Sequence, residues 1–382
     1  MSINYSKIGD LFPDIKIGGT PSRGNPEFFG GPHLWVSIRD MNGKSFIHST
    51  SEKLTDSGVI HSNCKLILKG SLLFSFKLTV GRVAFAGENL YTNEAIAAFD
   101  SESAVIAEID LDYLSLVLPV AALKDSTKNS MGASLLNKDR INSLSIPYPI
   151  IAVQRQIAAK LKTQLAEVET ARKALEWQQQ ELVNLANATI RESIEKSSVI
   201  ETRLGEVLGE IKKGIGETWA DYPVLGATRG GLAPAKEPPG KHPQRYKPVF
   251  CGTVFYNPMR ILIGSIAFVD DDDEPGITSP DYVALQGKAG LVDSRWFYYW
   301  LRSPYGEQCI NSLARGAVRE RMLFNRLAEG SILLPPYPEQ LRVSKALAAL
   351  KPVKYAIQKQ LNDLNRIPDR LLAQAFDSLS TQ

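Results

Sequence analysis

Few side chains in this 382-residue chain are spaced for catalysis. The densest carboxylate run, Asp270-Asp271-Asp272-Asp273-Glu274-Pro275-Gly276, lacks the spacing of an EF-hand loop, so a solvated hairpin tip is the expected reading. Pro280-Asp281 and Gln286-Gly287-Lys288 carry the acid and Gln-x-Lys of a metal-dependent nuclease centre, but lie too close together to form one. His33, His48, His61 and His242 show no ligand spacing, and Cys64, Cys251 and Cys309 make no CxxC pair. Neither a zinc site nor a disulfide framework is indicated. Tyr256-Asn257-Pro258-Met259 is the nearest approach to an Asn-Pro-Pro-Tyr methyltransferase motif and lacks its second proline and aromatic residue. No G-x-G-x-x-G follows a strand. What remains is binding chemistry, in two matching sets of polar loops rich in lysine and arginine. Arginine bonds guanine through two parallel hydrogen bonds and asparagine bonds adenine, while lysine more often meets phosphate.

Such loops need a scaffold, and the stretch from Pro147 to Ser193 organises it. Leu161, Val168, Leu175 and Leu182 recur every seven residues, with Ile157, Leu165, Ala171 and Leu185 widening the stripe. No Gly or Pro interrupts residues 150–199, and strong helix formers fill the gaps. The spacing predicts a rod of roughly 65 Å at 1.5 Å per residue, too long for one core and in need of a partner helix. The partner lies 186 residues on: Pro335-Pro336-Tyr337-Pro338-Glu339-Gln340 repeats the opening, and Val343, Leu350, Ile357, Leu364 and Leu371 repeat the stripe. Pro352 is expected to kink or restart this second helix. Trp177 lies off the stripe and is a candidate for contact with another protein.

The regions before the two rods also repeat. Gly9, Lys16 and Gly18 match Gly205, Lys212 and Gly214 at an offset of 196. Gly70 matches Gly252, and Gly81-Arg82-Val83-Ala84-Phe85 matches Gly264-Ser265-Ile266-Ala267-Phe268. Short β-branched and aromatic runs, among them Ser71–Phe76, Ala95–Phe99 and Tyr282–Leu285, predict a small twisted sheet in each copy. Helical stretches follow at Leu111–Leu123 and Trp296–Leu313. Gly18, Gly19, Gly214 and Gly216 are expected to serve turns that need positive φ. The fold class is therefore α+β: two small mixed-sheet domains separated by two long antiparallel, coiled-coil-like helices, with a pseudo-two-fold internal repeat. The expected boundaries are 1–148, 149–198, 199–334 and 335–382.

Composition sets outer limits. At 44% hydrophobic and 22% charged residues the chain is an ordinary globular one, with a net charge of +3. Acidic and basic residues nearly balance within each sheet region, so any face for a polyanion must come from local clustering. The N-terminus lacks a signal peptide's apolar segment and no 18-residue apolar run exists, which makes the cytoplasm the expected location.

With Gly-Gly-Thr-Pro-Ser at 18–22, Gly-Arg-Val-Ala-Phe at 81–85, Pro-Pro-Tyr-Pro-Glu-Gln at 335–340 and the duplicated order in view, the chain resembles the specificity subunit of type I restriction–modification enzymes. The resemblance covers essentially the whole chain. It departs in three places: Val153 stands where the second copy has Glu339, the second copy lacks Thr-Pro-Ser, and Pro352 interrupts the second rod. The resemblance implies a non-catalytic protein whose two target recognition domains each read half of a split DNA site. It implies docking of two methyltransferase subunits, with a motor-nuclease subunit joining for cleavage. S-adenosylmethionine is then expected in the methyltransferase partner, and no cofactor in this chain.

The loops implied to contact DNA hold Lys16, Thr20, Ser22, Arg23, Lys77, Arg82, Lys128 and Asn129 in the first copy. In the second they hold Lys212, Lys213, Arg229, Lys236, Arg260, Arg315, Arg319 and Arg321. A scaffold whose repeated domains bind something other than nucleic acid is the competing reading. A lone nuclease or methyltransferase is disfavoured by the missing motifs.

Overall fold

The structure, a computed structural model, describes residues 4–125, 127–128, 134–314 and 321–377. Asn129, Arg315 and Arg319 fall outside them. The chain separates into two compact units, Met1–Arg172 with Asn362–Gln382, and Lys173–Leu361. Both boundaries cut through helices, so each unit holds its own sheets and a share of the rods.

The first unit contains β1 (Tyr5–Lys7), α1 (Ile8–Leu11), β2 (Lys16–Ile17), β3 (Phe29–Val36), β4 (Phe46–Ile47), β5 (Glu52–Leu54), α2 (Asp56–Ile60), β6 (Leu72–Ser75), β7 (Val83–Ala86), β8 (Tyr91–Thr92) and β9 (Ile96–Phe99). Then come α3 (Ser101–Ile106), α4 (Leu111–Asp125), β10 (Thr127–Lys128), β11 (Ser134–Leu135), α5 (Lys138–Ser143), β12 (Ser145–Pro147) and the start of α6 (Ile151–Glu195). A five-stranded sheet runs β2-β9-β6-β7-β4, and β5-β3-β8 form a smaller one. Both are mixed, because β4 pairs parallel to β7 and β3 parallel to β8. Alternation along β6 separates two cores. Leu72 and Phe74 pack with Tyr113, Leu114 and Leu118 of α4, while Leu73 packs with Val36, Ile47 and Ala84 on the other face. A strand buried on both faces reads as a continuous apolar run, which is why Leu72-Leu73-Phe74 stands out in the sequence.

The second unit continues from α6 through β13 (Ile200–Arg203), α7 (Leu204–Val207), β14 (Leu208–Glu210), β15 (Leu225–Thr228), β16 (Gly231–Pro234), β17 (Lys247–Val249), β18 (Val254–Tyr256), β19 (Ile266–Phe268), β20 (Gly276–Thr278) and β21 (Val283–Gly287). Helices α8 (Ser294–Arg302), α9 (Pro304–Leu313) and α10 (Phe324–Leu327), strand β22 (Ser331–Leu334), then α11 (Tyr337–Ala348) and α12 (Leu350–Leu364) follow, and α13 (Ile367–Asp377) returns to the first unit. Its four-stranded sheet, β14-β21-β18-β19, sets Val254 and Tyr256 toward Trp296 and Phe297, and Phe255 toward Val249 and Ala267. Pairing registers repeat between the units. Tyr5↔Pro147, Ser6↔Ile146 and Lys7↔Ser145 become Glu201↔Leu333, Thr202↔Ile332 and Arg203↔Ser331. Leu72 faces Phe85 and Phe99 as Val254 faces Phe268 and Leu285.

Within each unit the rod segments run antiparallel. In the first, Ile157, Ala158 and Leu161 near the start of α6 share a core with Leu371, Leu372 and Phe376 near the end of α13. In the second, Ala186, Ile190 and Ile194 near the end of α6 share one with Val343 and Leu347 of α11 and with Leu350. There Gln179 Nε2 also donates to Gln358 Oε1 at 3.4 Å. Every predicted stripe residue is buried or half-buried: Ile157, Leu161, Val168, Leu175, Leu182, Val343, Leu350, Ile357, Leu364 and Leu371. Two of the proposed widening positions fail. Leu185 is 52% exposed and Ala171 is exposed, so the seam is narrower than the apolar pattern suggests.

Other expectations change for local reasons. The second rod restarts at Leu350 with Pro352 in its first turn, as predicted, and breaks again before Ile367, where Pro368 enters. First-turn prolines are tolerated because those N–H groups have no helical acceptor. The stretch Trp296–Leu313 is two helices, because Ser303 is extended and Pro304 begins the next helix. The acidic turn is not simply solvated: Arg295 of α8 binds Asp270 and Asp271, and Lys351 of α12 binds Asp272 and, at 2.9 Å, Asp273. It latches the sheet to the rod within the second unit.

Among the four glycines assigned to positive φ, only Gly216 has it. Gly18, Gly19 and Gly214 are required by crowding instead, since a Cβ would strike the backbone of Thr92, Asn63 and Gln244 respectively. Positive φ also occurs at the matched pairs Gly70 with Gly252 and Gly81 with Gly264.

Candidate nucleic-acid interface

Lys16 lies in β2 opposite Ala98, and its ammonium meets Asp100 at 3.2 Å. Asp100 also caps α3 through the N–H groups of Glu102 and Ser103. Burial pushes this carboxyl up, but the cap and Lys16 outweigh it and hold it below the usual range. Lys16 therefore ties the sheet to α3, and its ammonium is already engaged by a carboxylate.

Downstream, the loop is held by its main chain. Trp35 Nε1 and Cys64 Sγ both donate to the Gly19 carbonyl at 3.1 Å. Thr20 donates to Glu94, and Ser22 is exposed beside it. Arg23 bonds both oxygens of Glu52, at 2.5 and 3.0 Å, and lies 5.0 Å from the Phe29 ring and 5.1 Å from that of Trp35. The Arg23 hydrogen bond holds the Glu52 carboxyl below its ordinary range. A guanidinium seated on two rings is pre-aimed, but it already has a carboxylate that an incoming phosphate or base must replace.

Three other first-unit candidates sit on separate features. Lys77 lies over the Phe76 ring at 5.4 Å, beside Leu78, which is exposed and at positive φ. Arg82 donates to the Ile38 carbonyl at 3.2 Å and lines a groove with Lys44 and Lys162. Lys128 is in β10 opposite Ser134.

In the second unit the candidates converge better. Arg229, at the β15–β16 tip, donates to the Ile263 carbonyl at 3.3 Å, and the Met322 N–H donates to Pro258 at 3.0 Å. The hairpin tip and the Arg321–Leu323 segment thus meet on the loop Asn257–Gly264, which carries exposed Arg260. Arg321 also pairs with Asp281 at 3.3 Å, which removes that aspartate from the nuclease-like pattern. Lys212 pairs with Glu210 at 3.4 Å; Lys213 follows it, and Lys236 lies beyond β16, both exposed.

Sequence reasoning missed Arg302. It donates to Gly264, Ile266 and Arg229 carbonyls and so fastens the hairpin tip to the loop. Its place at the end of an aromatic-rich helix gave no signal of that role. Among the described residues no group of three or more His, Cys, Asp and Glu is placed to hold a metal, and no helix is long and apolar enough to cross a membrane.

Residues 3–176 match the family described as the type I restriction modification DNA specificity domain. The type I restriction enzyme MjaIX specificity subunit of Methanocaldococcus jannaschii is 26% identical over 163 residues, 41% of this chain and 37% of that protein. The type I restriction enzyme HindI specificity subunit of Haemophilus influenzae is 30% identical over 137 residues, 35% of this chain and 29% of that protein. The chain spans about a third of the length of the curated relatives it matches. A solved structure, described as underlying complex assembly and conformational transition of the type I R-M system, shares the fold at TM-score 0.64, covering 98% of this chain and 97% of that one at 16% identity. The scaffold alternative finds no support in these likenesses. Residues 3–176 are thus similar to the type I restriction modification DNA specificity domain, and the fold is shared over nearly the whole chain.

Proposed function

We propose that this chain is a DNA-specificity subunit that reads a bipartite duplex site and performs no chemistry itself. The observation that carries the reading is the repeated unit. One register of sheet, helix and rod start occurs twice, and each copy presents arginine- and lysine-bearing loops. The first copy is similar to the type I DNA specificity domain, and the second repeats its architecture. Each copy would read one half-site, with phosphate contacts setting position and base-edge contacts setting sequence. Two copies of a methyltransferase subunit would supply S-adenosylmethionine and the base flipping that methylation of a paired base requires. A motor-nuclease subunit would join for cleavage, and the assembly would work in the cytoplasm.

Methylome sequencing of cells that express the chain with its methyltransferase partner tests this. The expected result is methylation at one split motif with a fixed gap. A gel shift that is insensitive to salt, or the absence of binding to any duplex, sinks the proposal.

A further inference from the structure

Some cations of the second unit line a cleft behind the hairpin tip. A cleft of about 310 Å³ opens between the hairpin tip at Arg229-Gly230, α8, α12 and the part of α6 from Glu176 to Asn187, all within that unit. Three cations line it: Arg229, Arg302 and Lys354. Each donates to main-chain carbonyls, Lys354 to that of Gly230 at 2.5 Å, and none of the three has an ion pair among the described residues. The cleft sets a single carboxylate, Glu176, against them. The neighbouring acids Asp270 and Asp273 are already held by Arg295 and Lys351. Burial, then the nearby Arg302 charge, holds the Lys354 pKa below the ordinary lysine range, as expected where positive charge lacks a counterion.

The rest of the wall is aromatic and amide. Tyr298 stacks on Phe268 at 5.6 Å, holds the Arg302 guanidinium 5.5 Å from its ring and meets Tyr299 edge-on at 5.1 Å, and Gln179 and Asn187 supply groups that both donate and accept. Cations without a carboxylate partner suit phosphate, the edges of the tyrosine pair suit a flat base, and side-chain amides match the edge of adenine. The volume lies at the lower end of small-ligand sites and does not admit a duplex.

We propose that this cleft binds a nucleoside phosphate, with the phosphates on Arg302 and Lys354 and the base against Tyr298 and Tyr299. The first unit supplies an internal control. Its corresponding groove has Ser115 where the second has Tyr298, and Val168 stands at the 186-residue offset from Lys354, so the groove's cations, Lys44, Arg82 and Lys162, have no tyrosine beside them. One site per chain is therefore expected.

Calorimetric titration of the full chain with AMP and ATP, and with adenosine and inorganic phosphate, tests this. One saturable nucleotide site is expected, with adenosine at least tenfold weaker and phosphate competing. Lys354→Gln should weaken nucleotide binding at least tenfold and leave the circular dichroism and the DNA gel shift unchanged. Should that variant lose its fold, Tyr298→Leu carries the same test. No saturable binding at millimolar nucleotide, two sites per chain, or equal binding by wild type and K354Q overturns the proposal. Displacement of the nucleotide by duplex DNA also overturns it, because the cations would then belong to the DNA surface. Failure here leaves the DNA-specificity reading intact, since that reading is scored by methylation.

Discussion

Gln340 repeats in the second unit the three hydrogen bonds that Gln154 makes in the first. Gln154 accepts from the Asp110 N–H at 2.9 Å and donates to the carbonyls of Glu108 and Pro149 at 3.1 and 2.8 Å. Gln340 accepts from the Asp293 N–H at 2.9 Å and donates to Leu291 and Pro335 at 3.1 and 2.9 Å. Asp110 and Asp293 in turn bond the N–H groups of Tyr113 and Trp296 at the starts of α4 and α8. One amide thus joins the start of a rod to the start of a domain helix, and only a side chain with both a donor and an acceptor at its tip can do it.

Replacing either glutamine with alanine should cost about 2–4 kcal/mol, because both are fully buried and each loss strands an N–H and two carbonyls. Urea denaturation monitored by hydrogen exchange would locate the loss. Glu at either position should also destabilise, since it accepts but cannot donate. A loss below about 0.5 kcal/mol for both alanine variants contradicts the clamp.

The rod seam predicts a contrast within α6. Leu161 is 3% exposed, so Leu161→Ala should cost about 2–4 kcal/mol. Leu185→Ala, at a position half in solvent, should stay within about 0.5 kcal/mol. Equal losses at both sites would show that Leu185 is covered in the working protein.

Arg23 and Glu52 make a test of the DNA face. Arg23→Ala should weaken duplex binding by about 1–3 kcal/mol if it reads a base, with the loss confined to the cognate sequence. A phosphate contact would instead give a uniform loss and a shallower salt slope. Glu52→Gln should strengthen binding, because it removes the carboxylate competing for the guanidinium. Their side chains are 57% and 41% exposed, so breaking the pair should cost well under about 1 kcal/mol of stability. Unchanged affinity in both variants would place the face elsewhere.

Cys251 is exposed, yet it should react slowly with iodoacetamide. Its hydrogen bond to Asp271, then partial burial, pushes the thiol up to about 11. A raised thiol pKa leaves the nucleophilic thiolate scarce below that pH, so alkylation should climb toward pH 11 rather than level off near 9. Asp271→Asn should bring the rise to lower pH. Rapid alkylation of the wild-type protein at pH 8 would show that the acidic turn does not hold this cysteine.

The sequence by itself determined the duplicated plan, because hydrophobic period and glycine placement are local properties that survive in a one-dimensional reading. The seven-residue stripe named the rod residues, and the offsets named the matching strands. Only the tertiary structure decided which groups those elements leave free. Lys16 and Arg23 meet acids 84 and 29 residues away, and the acidic turn closes on Arg295 and Lys351 rather than on water. Gly18 and Gly19 are glycine because a distant backbone passes within contact of their Cα atoms. Composition shows that a side chain can bind. Whether it is free to do so depends on partners brought near by folding, and chain order alone does not list them.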